Sequence, residues 1–442
     1  MNKKVKLGDV CDMSIGFVGT VTTQYEEGGI LFFRTLNIKP YKIDTSDVKR
    51  ITKEFHEKQK KSQLMAGDIA MVHTGVPGIC CVIPEEYNNS NCIDMIVIKP
   101  KKGLLNAYYL EAYMNTVGYK HIENQQVGCV QKHFNLKDAI ELEIFLPSIK
   151  VQNSIGELVK VINHKMENNN KINSELEAMA KTIYDYWFLQ FEFPNEEGKP
   201  YKSSGGKMVW SEELKREIPE GWIVKSLNNC ISRIIDHRGL TPKKLGGDWA
   251  QSGIIALSAK NVKSEKLVNI KDANKVNNEM YEKWMPEKLE DGDILMTSEA
   301  PLGEFYYILM NTEYCLSQRL FAIRADKNQL QASYLYYELS RGHGYSQIIG
   351  SQSGSTVFGI RQDELKKVNI LIPNKEIQNQ FNEIVMPILL KIRSNDKLNV
   401  ELVELRDYLL PLLINGQVGF KDNISDEISY KELEERTLDS IL

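Results

Sequence analysis

Residues 146–153 read LPSIKVQN, and residues 372–379 read IPNKEIQN, so one pattern occurs twice, 226 positions apart. The agreement continues without a gap through three further pairs: Lys165 with Lys391, Asn169 with Asn395, and Leu176 with Leu402. Such a period is far longer than the roughly 20–50 residues of a solenoid unit. The sequence therefore predicts a duplicated domain that is followed, in each copy, by a duplicated helix.

Length and composition indicate a globular protein of two or three domains, with 442 residues, 42% hydrophobic and 26% charged. No apolar run is long enough to span a membrane, and the first residues do not resemble a signal peptide. The seven cysteines are odd in number and never spaced as CxxC. We therefore expect a cytoplasmic protein with reduced thiols, without a metal site and without a membrane partner.

The net charge of −4 is unevenly distributed along the chain. Residues 1–150 and residues 221–370 each carry 19 basic and 17 acidic side chains, which leaves each segment at +2. The tail from residue 421 onward is acidic. A nucleic-acid partner is compatible with this balance only if the basic side chains of each segment lie on one face.

Residues 1–147 and 221–372 are predicted to form two similar domains of mixed strands and helices, here called head 1 and head 2. In head 1, the pattern predicts strands at 30–36, 68–74, 92–99 and 142–146, and a helix at 106–115. Gly67-Asp68 before one strand returns as Gly292-Asp293. We expect corresponding elements in head 2.

A heptad pattern follows each head, over 148–190 and 373–418. One predicted seam line is Ile155, Ile162, Asn169, Leu176, Ile183 and, in the second copy, Phe381, Ile388, Asn395, Leu402, Leu409. The other, three residues later, is Leu158, Lys165, Ile172, Met179, Tyr186 and Ile384, Lys391, Leu398, Leu405, Leu412. Five heptads indicate a coiled coil of about 55 Å. Pro387 predicts a kinked but unbroken second helix, and Pro411 predicts fraying at its end.

Polar residues occur at equivalent seam positions in both helices: Lys165, Asn169, Lys391 and Asn395. If the helices pair antiparallel about a pseudo-twofold axis, Asn169 and Asn395 meet near the centre. A buried polar residue at a seam position sets register at some cost in stability. We predict that role here, although half-exposed asparagines without any special role remain the alternative.

Residues 191–220 are rich in Gly, Ser, Lys and Pro and are predicted to be a connector loop. Residues 419–442 form the acidic tail. The predicted fold is therefore α+β, with two similar heads separated by two long helices that pair as an antiparallel coiled coil.

Catalytic motifs are not found. The chain has no glycine-rich phosphate loop, no HExxH, no GxSxG and no Asn- or Asp-Pro-Pro-aromatic methyltransferase motif. The seven histidines are scattered, and His73 and His133 are more plausible as structural than as catalytic residues. We predict that the chain alone is not an enzyme and binds neither metal nor cofactor.

Side chains that can contact DNA bases and phosphates occur in several loop-like segments. Arginine and lysine read guanine, asparagine and glutamine read adenine, and phosphates take basic and hydroxyl groups. Candidate DNA-binding residues are Arg34, Asn37, Gln131, Lys132 and His133 in head 1, and Arg238, Lys243, Lys244, Lys260, Asn261 and Arg361 in head 2. For any one of them, an ordinary solvated loop residue is an equally good interpretation. Similar scaffolds with unlike loops would suit two different half-targets.

The connector and the two head-plus-helix copies resemble the specificity subunit of type I restriction-modification enzymes. The resemblance rests on the (Leu/Ile)-Pro steps, on the connector from Phe191-Glu-Phe-Pro194 to Ile218-Pro-Glu-Gly-Trp222, on residues 236–242 and on residues 413–418. It covers nearly the whole chain apart from the acidic tail.

The resemblance implies that each head reads one half of an asymmetric bipartite site in double-stranded DNA, while the helices fix the spacer. It also implies two modification subunits, which would carry S-adenosylmethionine and methylate adenine, and restriction subunits that use ATP and Mg²⁺. A coiled-coil scaffold whose heads bind proteins is the alternative. Methylation that depends on adding this chain to its partner subunits would distinguish the two.

Overall fold

A computed structural model describes residues 3–119, 122, 134–310, 313–351 and 359–420. The chain divides into two compact units, Met1–Asn168 with Leu398–Leu442, and Asn169–Lys397. Each unit contains one head and part of both long helices. Among the described residues, no helix combines the length and apolarity needed to cross a membrane.

Both long helices are present where the heptads predict them. The first is Ile149–Tyr184, continued by a π-helical turn at Asp185–Leu189, and the second is Lys375–Ile414. Each begins shortly after a proline that ends the preceding strand. The second helix is unbroken at Pro387, while the predicted kink there stays a prediction, and the helix continues past Pro411, where fraying was expected.

Head 1 is built from short sheets and helices. Its strands are Lys3–Lys6, Cys11–Ile15, Tyr25–Phe33, Ile38–Lys39, Lys42–Ile43, Lys49–Ile51, Gln63–Leu64, Ile69–Val72, Cys80–Val82, Ser90–Cys92, Met95–Pro100 and Glu143–Leu146. Its α-helices in the described part are Leu7–Val10, Lys53–Lys58, Ala107–Tyr113 and Leu136–Glu141. Each predicted strand and the predicted helix overlap an observed element. The strand predicted at 30–36 ends at Phe33 and is followed by a 3₁₀ turn at Thr35–Asn37, and the strand predicted at 92–99 is divided at Ile93 and Asp94.

Head 2 has a similar order, although in the described residues it lacks a strand equivalent to Gln63–Leu64. Its strands are Ile223–Ser226, Ile231–Asp236, Ile254–Leu257, Val262–Lys263, Lys266–Leu267, Lys275–Val276, Ile294–Thr297, Phe305–Tyr307, Tyr314–Leu316, Leu320–Ala325 and Asn369–Ile372. Its described α-helices are Asn278–Trp284, Ala332–Ser340, His343–Gly350 and Gln362–Leu365. In both heads the central four-stranded sheet is antiparallel, and the first and last strands pair with each other.

The repeated Gly-Asp pair is a structural turn in both heads. Gly67 and Gly292 have φ of 85° and 97°, a left-handed backbone that favours glycine. Asp68 accepts a hydrogen bond from the Met65 backbone, and Asp293 accepts one from Glu290, each at 2.9 Å. This explains why the pair precedes an apolar strand in each copy.

The repeated Gln-Asn pair attaches each long helix to the head of its own unit. Gln152 is buried, and its side-chain oxygen accepts a hydrogen bond from the Asn106 backbone at 2.9 Å. Gln378 is equally buried and accepts one from the Gln331 backbone at 2.9 Å, while donating to the Pro373 carbonyl at 2.8 Å. In each case the glutamine side chain of the helix hydrogen-bonds to the backbone of the head. We call each arrangement a glutamine clamp.

The connector is more ordered than the sequence predicts. Met208–Ser211 and Arg216–Pro219 form an antiparallel hairpin rather than part of an extended loop. The Arg216 guanidinium lies 4.7 Å from the centre of the Phe191 ring, and its Nη2 donates to the Leu189 carbonyl at 3.0 Å. The predicted loop over 191–220 is therefore corrected to a structured connector, because aromatic packing stabilises its ends.

Within the second unit, the long helices run antiparallel. The Tyr184 and Phe381 rings lie 6.2 Å apart, while Asn173, earlier in the first helix, contacts Asn395, later in the second. The first predicted seam line is buried or half-buried, as expected.

The second predicted seam line requires correction. Ile172, Met179 and Tyr186 are 41%, 54% and 39% exposed, and Ile384 and Leu405 are exposed as well. The second buried line lies one residue later, at positions such as Asn173, Ala180, Trp187, Val385 and Ile392. Residues three and four apart both lie on one helix face, so the heptads alone did not distinguish these lines.

The polar seam residues do not all behave as predicted. Asn169 and Asn395 are buried, whereas Lys165 is half-buried and Lys391 is exposed. Asn395 donates to Asn173 Oδ1 at 2.8 Å, so its partner is Asn173. The register role of the asparagines stays a prediction, with Asn173–Asn395 as the described pair.

Candidate nucleic-acid interface

Arg238 follows a strand of the central sheet of head 2. Asp236 ends that strand and pairs across the sheet with Phe321. The Arg238 guanidinium stacks 4.5 Å from the centre of the Phe321 ring and contacts Asp236 at 2.8 Å. Stacking and the ion pair hold this cation at the loop end of the sheet, where the side chain remains partly exposed.

Other basic residues lie on loops joined to that same end. Arg319 immediately precedes the strand Leu320–Ala325, and its carbonyl accepts a hydrogen bond from Ser298 at 2.9 Å. Ser298 in turn accepts one from Ile360, next to Arg361, at 3.0 Å, and Ala259, next to Lys260, donates to Gln318 at 3.2 Å. We define the head 2 loop edge as Arg238, Lys260, Arg319 and Arg361.

The head 2 loop edge is cationic but contains acidic partners. Lys260, Arg319 and Arg361 are exposed. Glu299 lies 3.3 Å from the Arg319 guanidinium, and Asp236 pairs with Arg238. These ion pairs involve two of the four cations and are at least partly exposed, which suits a polyanion whose phosphates can replace the carboxylate contacts.

Lys243 and Lys244 lie on the loop that continues from Arg238. They begin a short 3₁₀ turn at Lys243–Leu245 and are both exposed. Lys244 Nζ donates to the Gly239 carbonyl at 2.6 Å, which orders the loop. Both residues stay candidates for phosphate contacts.

Asn37 and Asn261 are structural residues. Both are fully buried, as the third residue of equivalent capped 3₁₀ turns. The Asn37 side chain accepts from the Arg34 backbone at 2.9 Å and donates to the Asp44 carbonyl at 2.8 Å, and Asn261 makes the corresponding bonds. This corrects the prediction that these amides contact DNA, because neither reaches the surface.

The equivalent edge of head 1 has different chemistry. Arg34 is half-buried and pairs with Asp47 at 2.7 Å, and this contact, together with Lys49, lowers the pKa of Asp47 to about 2. At the position of Lys260, head 1 has the exposed Leu36. At the position of Arg319 it has Asp94.

Asp94 and Arg319 share an unusual backbone. Each directly precedes the corresponding strand of the central sheet, and their φ values are 52° and 62°. A left-handed backbone is uncommon for residues other than glycine. Arg319 was missed by the sequence analysis, although the opposite charges before equivalent strands could have indicated it.

Three candidates cannot be placed, since Gln131, Lys132 and His133 lie outside the described residues. Within the described ranges, no group of histidine, cysteine or carboxylate side chains has the arrangement of a metal site. The six described cysteines are buried thiols. What the structure does bring together is a set of exposed basic loops on head 2, with unlike counterparts on head 1.

Sequence comparisons agree with this duplicated organisation. A family model described as "Type I restriction modification DNA specificity domain" matches residues 2–178 and again residues 219–404. The chain is 26% identical over 333 residues to the type I restriction enzyme MjaIX specificity subunit of Methanocaldococcus jannaschii, covering 74% of this chain and 72% of that protein. It is 21% identical over 451 residues to the HindI specificity subunit of Haemophilus influenzae, covering 88% and 94% respectively.

The fold is also similar to a solved structure. The crystal structure of the S subunit of a type I restriction-modification system from M. genitalium aligns with a TM-score of 0.57 and 15% identity. The alignment covers 93% of this chain and 95% of that chain. The similarity therefore extends over both heads and both long helices.

Proposed function

The chain belongs to the family of type I restriction-modification DNA specificity proteins, and from that premise we propose how its parts divide the work. Head 2 contacts one half of a bipartite site through its cationic loop edge, and head 1 reads the other half through different side chains. The paired helices fix the spacer between the halves. The proposal rests on one observation: the two heads have similar sheets, but the side chains at their loop edges differ.

The two edges suit different contacts. Arginine and lysine can bind guanine edges or phosphates, whereas an apolar side chain such as Leu36 can contact a thymine methyl group. Asp94 can accept a hydrogen bond from the cytosine amino group. Two half-sites of different base composition are therefore expected.

The exposed seam residues provide a surface for partner subunits. Ile172, Met179 and Tyr186 recur every seven residues on the first helix and are exposed. The equivalent row on the second helix is the exposed Leu405 between the half-buried Leu398 and Leu412. Apolar rows that are left exposed or half-buried favour packing against another helix. We propose that one modification subunit packs on each row, giving two copies per chain.

In this proposal the partner subunits carry out the catalytic steps. The modification subunits supply S-adenosylmethionine and the pocket into which the target adenine is flipped. Restriction subunits, which use ATP and Mg²⁺, join through the modification subunits. This chain contributes sequence recognition and spacing.

Replacing both Arg238 and Arg319 with alanine should slow methylation of the half-site read by head 2 by roughly 5- to 150-fold, because a good arginine–base contact is worth about 1–3 kcal/mol. The target is first mapped by comparing methylated adenines in a host with and without this gene. Methyl transfer to a duplex carrying that site is then measured with the modification subunits present. Arg233→Ala, an exposed arginine on the strand Ile231–Asp236, is the matched control. Equal rates for the double variant and the control on every site would contradict the role of this edge.

Met179→Asp and Leu405→Asp should each remove one modification subunit from the purified complex, because a carboxylate cannot be buried in an apolar interface without a partner. The mass of the complex measures the stoichiometry directly. Ser174→Asp places the same charge at an exposed position on the first helix and should leave both copies bound. Retention of two copies by both seam variants would contradict the proposed docking rows.

A further inference from the structure

Each head carries a small hairpin that contacts a long helix of the same unit. In head 2 it spans residues 262–267, and its turn residues Ser264 and Glu265 have φ of 49° and 64°. In head 1 it spans residues 38–43, and Tyr41 has φ of 61°. These left-handed residues carry a conformational cost that the surrounding contacts must offset. We call the two elements brace hairpins.

The head 2 brace hairpin contacts the first long helix through two ion pairs. Glu265 Oε1 lies 3.1 Å from Lys181 Nζ, and Lys266 Nζ lies 3.2 Å from Glu177 Oε1. Each element contributes one acid and one base. A shift of either element by one helical turn would bring like charges together, so the contact specifies one register.

The same hairpin is also fixed to the body of head 2. The Ser264 backbone donates to Glu304 Oε2 at 2.5 Å. Nearby, the buried Arg393 of the second helix places its guanidinium 4.0 Å from the centre of the Tyr306 ring. Hairpin, sheet and helices are thus connected by contacts that depend on direction as well as distance.

The head 1 brace hairpin uses different chemistry at an equivalent place. The buried ring of Tyr41 lies 4.2 Å from the guanidinium of Arg406, on the second long helix. Burial raises the pKa of the Tyr41 hydroxyl. The left-handed residue at the hairpin turn contacts a long helix in both heads, as Tyr41 in one and Glu265 in the other.

Each head is therefore attached to both helices of its unit. In the first unit, the Gln152 clamp attaches head 1 to the first helix and Tyr41 attaches it to the second. In the second unit, the Gln378 clamp attaches head 2 to the second helix and Glu265 attaches it to the first. The hydrophobic core of each unit also joins the head to both helices. Apolar packing depends little on direction, so the clamp and the brace add the directional contacts that fix the angle of the head.

We propose that the brace hairpins set the tolerance of the protein for spacer length, with Lys181, Glu265, Tyr41 and Arg406 as positioning residues. The inference rests on the proposed function, since it concerns how two recognition heads are held. A head without its brace keeps its apolar packing on the helices but loses a directional contact, so it can tilt enough to reach half-sites at neighbouring spacings. The bases that it reads stay the same, because the brace residues are distinct from the loop edges.

The test uses the complex of this chain with its modification subunits and duplexes in which both half-sites are fixed. The spacer is varied one base pair at a time, and methyl-transfer rates are compared. For each variant, the methyl-transfer rate on the native spacer is divided by the rate on spacers one base pair longer or shorter. Lys181→Glu should lower this rate ratio by roughly tenfold, since a displacement of about 1 Å can cost on the order of 100-fold in rate. Adding Glu265→Lys should restore the ratio by reversing the pair. Half-site discrimination should not change in either variant.

Lys171→Glu, at an exposed position on the same helix, is the control for added charge. Arg406→Met tests head 1 separately, because it removes the guanidinium from the Tyr41 ring and leaves that buried ring in the core. A Lys181→Glu complex with the wild-type spacer ratio, or a reversed pair that fails to restore it, overturns the inference. A wild-type complex that methylates no bipartite site would refute the proposed function instead.

Discussion

Replacing Gln378 with alanine is expected to lower the free energy of unfolding of the second unit by about 2–4 kcal/mol. The change leaves the Gln331 N–H and the Pro373 carbonyl without their partner in a buried place, and each unsatisfied buried group costs about 1–3 kcal/mol. Gln378 itself is 1% exposed, so water cannot simply replace the amide. Urea denaturation followed by circular dichroism measures the loss.

The neighbouring Asn379 is a matched control for that experiment. Its side chain accepts a hydrogen bond from Gln331 Nε2 at 2.7 Å, but at an exposed position. Asn379→Ala should therefore cost less than about 1 kcal/mol, since water can take over the contact. Equal losses for the two variants would show that the clamp does not stabilise the unit through burial.

Glu111→Gln is expected to stabilise head 1 at alkaline pH by about 2–4 kcal/mol. Burial raises the pKa of this carboxyl to about 7, from the ordinary 4.5, while the Val82 backbone donates to it at 2.9 Å. The neutral form is therefore favoured in the folded chain. Its contribution to stability is fully present below pH 4.5 and is lost as the pH rises to about 7, by an amount near 3 kcal/mol.

Glutamine keeps the acceptor for Val82 and removes the titration. Stability of the variant and the parent should therefore agree at low pH and diverge between about 5 and 8, when measured by urea denaturation in a pH series. Glu143→Gln, on an exposed strand position of the same head, should follow the parent curve. Parallel curves for Glu111→Gln and the parent would mean that Glu111 does not carry this pH dependence.

Much of the fold could be predicted because it occurs twice. The proline steps, the Gln-Asn pair and the Gly-Asp turn appear in both copies, and each proved to have the same structural place in its unit. The connector hairpin was not predicted, because Gly205-Gly206 and the adjacent serines are typical of a linker. Its order depends on contacts with the aromatic segment at the start of the connector, such as that of Arg216 with the Phe191 ring, which a linker-like composition does not indicate.

The nucleic-acid interface could be predicted only in part, because the sequence does not show which side chains are exposed. Asn37 and Asn261 were chosen because asparagine can read adenine, yet their repetition in both heads reflects a shared capped turn. Arg319 was not predicted, although an acid, Asp94, stands at the equivalent position of head 1 and the change of charge could have indicated it. Residue type alone indicates what a side chain can bind, whereas exposure and backbone geometry decide whether it can reach a ligand.

The left-handed position shared by Asp94 and Arg319 has a practical consequence. An acid occupies it in one head and a base in the other, while the adjoining strands keep the same pairing. The side chain at this position can therefore change without a change in the backbone conformation. A combinatorial library at 94 and 319 that leaves out proline and the β-branched residues, which tolerate a left-handed backbone poorly, should yield well-folded chains with altered surface charge. The pair is therefore a starting point for engineering new sequence preferences.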